Sequence, residues 1–178
     1  MRTAKLTPWI ALSLLVVAVP ASEAHDEASG AAAYGRNLEF VGGRAVQLAD
    51  AIPAEQYGWR PMEGVRSVSE AIMHLASANY FFAGQLGLPA PEGLDVGGME
   101  AITDKVECVK ALEASNAHLA EAFAGIGDTG AEMDVFGRPG TTEDMMLVAI
   151  GHVHEHFGQL IAYARSNQIV PPWSGGGE

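Results

Sequence analysis

The sequence predicts an all-α fold: a four-helix bundle with long inter-helix loops. Three observations carry that prediction. Four stretches place apolar residues at helical spacing. Two of them open on a hydroxyl residue followed three positions later by an acid, the signature of a helix start. Gly- and Pro-rich segments separate the four, and no convincing strand lies between them, only a short extended piece at Met133 to Phe136.

Taken in order, the chain begins with Met1-Arg2-Thr3-Ala4-Lys5, an apolar run from Trp9 to Val19, and then Pro20-Ala21-Ser22-Glu23-Ala24. A charged start, a short apolar middle and small residues at its end read as a secretory signal peptide over residues 1–24, cleaved after Ala21 or Ala24. The run is shorter than the roughly 20 residues a membrane-spanning helix needs. Residues 25–33, rich in Ser, Ala and Gly, read as a flexible tether. The bundle is expected over residues 34–174, with 175–178 as a C-terminal tail.

The first helix is expected from Tyr34 to Ala51, with Leu38, Val41, Val46 and Leu48 inward and Gly42-Gly43 weakening it. It must end before Pro53, because a residue preceding proline avoids helical geometry. The second opens at Ser67, whose side chain and that of Glu70 form a capping box, and ends at Gly87. The third runs from Asp104 to Gly125, on a stripe of Val106, Val109, Leu112, Leu119 and Phe123. The fourth opens at Thr141, with Asp144 completing its capping box, and stops near Asn167, before Pro171-Pro172.

Charge narrows the function classes. A formal net charge of −12 repels nucleic acid and anionic membrane surfaces. The expected partner is a small-molecule substrate, with no nucleic acid, no membrane after signal cleavage, and a homodimer compatible with the sequence. The single cysteine, Cys108, cannot form an intrachain disulfide and reads as a small buried hydrophobe rather than a nucleophile.

Three of the chain's six histidines fall within "GHVHEHFGQL", residues 151–160. At about 100° per residue, His152 and His156 lie about 40° apart on one helix face. Met145, Ala149, Gln159 and Tyr163 share that face, so two imidazoles stand one turn apart on an inward stripe. This is the spacing at which two side chains bind one metal ion. His154 points to the opposite side and reads as solvent-facing, as does His118 on the third helix. A third protein ligand is needed, and His74, amid the apolar residues of "SEAIMHLASANYFF", is the candidate. Glu70 and Glu155 are the nearest acids in sequence to these histidines, but capping and solvent exposure compete for them. In the loop before the second helix, Tyr57, Trp59 and Arg60 read as a structural clasp, with lining of the site's mouth as the alternative.

The segments "IPAEQYGWRPMEGVRSVSEAIMHLASAN" and "GHVHEHFGQLIAYARSNQIVPPWS" resemble the DinB-like (DinB/YfiT-type) family of four-helix bundles. Tyr-x-Trp-Arg-Pro before the second helix, the mid-helix histidine, and His-x-x-x-His followed by Gly-Gln-Leu carry the resemblance. It implies a three-histidine site for a divalent metal, zinc or nickel, on His74, His152 and His156. Some relatives are thiol-dependent transferases or isomerases. Low-molecular-weight thiols are kept reduced inside cells, so that chemistry is expected here only if the chain is not exported.

The sequence therefore supports an exported domain, periplasmic or extracellular, that binds a divalent metal through three histidines. A metal-dependent hydrolase or transferase is the first expectation. A non-catalytic metal-binding or structural bundle is the alternative.

Overall fold

The computed structural model describes residues 27–175, with side chains from residue 30. The expected signal peptide at 1–24, the start of the expected tether and the last three residues lie outside the described residues. Four helices dominate: α1 (Glu27–Ala51), α2 (Val68–Gln85), α3 (Lys105–Ala124) and α4 (Thr142–Ser166). Three single-turn 3₁₀ segments, η1 (Ala54–Gln56), η2 (Met99–Ala101) and η3 (Pro172–Ser174), sit in the connections. A two-stranded antiparallel hairpin, β1 (Glu132–Asp134) and β2 (Pro139–Thr141), precedes α4.

The sequence's start signals act as read. Ser67 Oγ accepts from the Glu70 amide while Glu70 accepts from the Ser67 amide at 2.8 Å, and Thr141 and Asp144 do the same for α4. Asp104 caps α3. These bonds satisfy amide groups that have no partner within the helix.

Two expectations are corrected. The first helix starts at Glu27, so most of the expected tether is helical, and Ala31 is already buried in the core. Gly42-Gly43 does not interrupt α1. A Cβ on Gly42 would stand 3.0 Å from the Asn116 side chain, whose Nδ2 donates to the Gly42 carbonyl. The glycine is where α1 and α3 approach closely. On α3, Val106 is exposed, and the inward stripe is Cys108, Leu112, Ser115, Leu119 and Phe123. A buried cysteine and a buried serine hold positions that an apolar pattern alone does not select.

The packing order decides the rest. α1 packs on α3 and α4, and α2 packs on the same two, so α1 and α2 stand diagonally across the bundle. The apolar core runs between all four, with Leu38, Leu48, Ile72, Leu75, Leu112, Leu119, Met145 and Leu160 almost wholly enclosed. Burying each such side chain contributes about 1.5–3 kcal/mol. The order also makes α2 and α4 direct neighbours, which sets His74 against His152 and His156.

The loop before α2 is a clasp. Tyr57 is buried and donates to the Ala49 carbonyl at 2.7 Å. The Trp59 and Tyr57 carbonyls accept from the first amides of α2. Trp59 meets Tyr163 edge-on at 5.3 Å, and Arg60 pairs with Glu70 at 3.1 Å.

Candidate metal centre

His74 leaves α2 at mid-length and meets His152 and His156 of α4. Their ring centroids lie 5.2, 4.7 and 4.4 Å apart, taking His74–His152, His74–His156 and His152–His156 in turn. Each ring offers one nitrogen to a group whose members all lie within 4.8 Å of one another. His156 is buried and the other two are half-buried. His152 and His156 thus share the inner face of α4, and His74 reaches them from α2. His154 is exposed and pairs with Asn37 on the far side of α4. His118 is not a free surface residue: it is half-buried, beside Tyr80 and the Leu88 carbonyl.

Hydrogen bonding sets two of the three rings for ligation. His74 Nδ1 lies 2.8 Å from Glu100 Oε1. An ionised carboxylate only accepts, so Nδ1 carries the proton and Nε2 keeps its lone pair. Burial would raise the Glu100 pKa, but hydrogen bonds from Arg66 and His74 outweigh it and hold the carboxyl below its ordinary range. Arg66 grips that carboxylate through two nitrogens, at 3.1 and 3.2 Å.

The tautomer of His156 follows from a chain of bonds. The Tyr163 hydroxyl donates to the Arg66 carbonyl, so it accepts from Gln159 Nε2 at 2.7 Å. Gln159 Oε1 is then left to accept from His156 Nδ1 at 2.8 Å. His156 Nε2 is again the free lone pair.

His152 Nε2 faces His74 Nε2 at 3.3 Å. Its Nδ1 is buried with no hydrogen-bond partner among the described residues. Two nitrogens bound at about 2.0–2.1 Å to one tetrahedral ion stand about 3.3–3.4 Å apart. The His74–His152 spacing matches that value, and the ligand atoms of all three rings lie within 4.8 Å of one another. The pKa of His152 is pushed down to about 4, first by burial and then by the neighbouring His156 and His74. Burial likewise lowers that of His156. Both shifts favour neutral His152 and His156 rings at neutral pH, the form that binds metal.

Two cavities flank the cluster and differ in character. One, about 800 Å³, is polar and lined by Arg60, Arg66, Glu70, Glu155, His156 and Gln159. The other, about 660 Å³, is largely apolar and lined by His74, Phe81, Phe82, Phe136 and His152. Glu100 borders both. Glu70 touches Ser67 and Arg60 rather than His74, so its capping role prevails. Arg60 serves both expectations, as clasp partner and as wall of the polar cleft. Cys108 stays out of the site: it is buried, with its thiol pushed up to about 11 by that burial.

Glu100 and Arg66 were not singled out from the sequence. Glu100 sits on η2, an isolated turn in a Gly-rich connection with no periodicity to mark its direction. The one available signal was Met99, an apolar residue in a polar loop. It is buried and anchors η2 against α2.

The fold and the site together define a class: a helical bundle carrying, on two adjacent helices, three histidines close enough to hold a metal ion. The model of the DinB superfamily matches residues 37–160. The chain belongs to that superfamily. Its fold is similar to the crystal structure of a DinB-like protein from Bacillus cereus, with a TM-score of 0.68 and 16% identity over 78% of this chain and 93% of that one. No curated protein matches the sequence.

Proposed function

We propose that this is an exported DinB-like domain that holds one divalent metal, zinc or nickel, on His74, His152 and His156, and uses it for hydrolysis or group transfer on a small molecule. The observation that carries the reading is the group of three imidazoles whose ligand atoms all lie within 4.8 Å of one another, with the Nδ1 atoms of His74 and His156 each tied by a hydrogen bond. A divalent cation held by three neutral imidazoles keeps its full charge and supplies Lewis acidity toward a carbonyl or phosphoryl oxygen.

The chain's own groups supply the rest. Glu100 takes the His74 Nδ1 proton's hydrogen bond and increases the donor strength of the opposite nitrogen. Gln159 and Tyr163 hold the His156 ring against rotation. Arg60 and Arg66 line the polar cleft and suit the polar end of a substrate, although each also pairs with an acid. The net charge of −12 favours a small molecule over nucleic acid or an anionic membrane. Among the described residues no helix is long and apolar enough to cross a membrane.

Export rests on the first 24 residues. Mass spectrometry of the native protein that found them intact would return the thiol-transferase reading. The decisive experiment is metal analysis of the purified protein, where about one divalent ion per chain is expected. Melting before and after chelation then separates a structural staple from an exchangeable site. A large loss of stability assigns the metal to the fold, whereas an unchanged melting temperature assigns it to binding or chemistry.

A further inference from the structure

The hairpin before α4 ends in a two-residue turn. Val135 and Arg138 exchange both backbone hydrogen bonds across it, and the central residues, Phe136 and Gly137, both have positive φ, 54° and 80°. Such turns favour Asn-Gly or Asp-Gly, because a bulky side chain is strained at positive φ. This chain places phenylalanine there and leaves it 58% exposed. A strained backbone supporting an exposed aromatic ring serves neither the hairpin nor the core, and such strain gathers at functional sites.

The ring has a definite position. It lies near-parallel to Phe81 of α2, at 6.1 Å and 18°, and nearly perpendicular to Phe82, at 6.5 Å and 85°. Phe81 is itself 47% exposed, while Phe82 is buried and edge-on to His152 at 5.5 Å. The three rings border one cavity whose remaining wall includes His74 and His152. The polar cleft with Arg60 and Arg66 opens on the His156 side.

We infer that Phe81, Phe82 and Phe136 form a specificity subsite for an aromatic group on the ligand, positioned so that a polar function attached to that group reaches the histidine cluster. The inference rests on the metal-site reading above. Its reasoning is complementarity: an apolar corner with walls at right angles takes a planar ring, while the polar groups lie beyond the histidines. The ligand class is thus a small aromatic molecule with a metal-binding carbonyl, carboxyl or phosphoryl function one or two bonds from the ring.

The test uses cobalt-loaded protein and two probes with the same chelating group, benzohydroxamate and acetohydroxamate, titrated by visible absorption. Benzohydroxamate should bind at least about tenfold more tightly, the scale expected for burying a phenyl face. The double variant Phe81→Gln/Phe136→Asn should lose that preference. It should keep its cobalt content and melting temperature, since asparagine suits the turn better than phenylalanine. Equal preference in both proteins, or none in the wild type, overturns the subsite while leaving the metal site standing. If cobalt does not bind, the metal reading fails by itself, and fluorine NMR of 4-fluorobenzyl alcohol with metal-free protein decides the subsite. Line broadening in the wild type that disappears in the double variant upholds it, and identical spectra reject it.

Discussion

Two polar clusters interrupt the apolar core, and they are completed in different ways. Where α1, α2 and α3 meet, Asn79 donates to Ser115 and Asn116, Asn116 donates to the Gly42 carbonyl, and Ser115 donates to the Leu112 carbonyl. Each of these groups finds a protein partner, leaving only the Asn79 carbonyl oxygen unmatched. Where α2 and α4 meet, the hydrogen bonds run outward instead. Glu100 and Gln159 hold the backs of two imidazoles, and one nitrogen of each of the three rings lies within 4.8 Å of the others, close enough to hold a shared ion. A network that satisfies itself locks helices together. One whose front nitrogens converge while the His152 Nδ1 finds no partner is left to be completed by something else. The difference teaches which cluster is scaffold and which is site.

The largest expected effect tests that division directly. Replacing His74, His152 or His156 with alanine should each remove nearly all bound metal, measured by elemental analysis of folded protein. Metal kept at wild-type levels by His152→Ala would break the comparison. Glu100→Gln keeps the shape but weakens the hydrogen bond that orients His74, and should reduce metal affinity about 10–100-fold. Unchanged affinity in a competition titration would remove Glu100 from the site.

On the scaffold side, Asn79→Ala should lower stability by about 1–3 kcal/mol in urea unfolding, because it leaves buried partners unmatched, while metal content stays the same. Loss of metal from a folded Asn79 variant would show the two clusters to be one. Acid sharpens the contrast further. The pKa of His152 in the metal-free fold is about 4, below the ordinary 6.5, so the unfolded chain binds the proton first as pH falls. That stability contribution is fully present above about 6.5 and is lost progressively down through 4. The metal-free wild type should therefore lose stability between pH 7 and 5 more steeply than His152→Ala. Equal slopes would refute the assignment. The smallest effect is expected at His154, exposed on the far side of α4, where alanine should leave metal content unchanged.

The helices were legible because their signals are local. Ser67 with Glu70, Asp104, and Thr141 with Asp144 act within one turn of themselves, and Gly87 ends α2 with a positive φ that glycine tolerates. The His152–His156 pair was legible for the same reason, since the helix's own geometry sets the spacing. Of the hairpin only an extended piece at Met133 to Phe136 was legible, because Phe-Gly is a poor turn signal and the strands are three residues each. The early start of α1 was hidden by composition, because Ser, Ala and Gly read as tether until Ala31 is packed on the core.

The sequence by itself determined the bundle class, three helix starts and the two imidazoles one turn apart, because each depends on residues within a few positions of one another. It also nominated His74, but only as a polar ring needing a partner. Tertiary structure decided that the partner is α4, because α1 and α2 pack diagonally and leave α2 and α4 in contact. It alone brought Glu100 to His74, Gln159 and Tyr163 into line with the Arg66 carbonyl, and Phe136 over the pocket. Those pairs are separated by tens of residues, and no local preference along the chain specifies which distant side chains the packed core will bring within a hydrogen bond of each other.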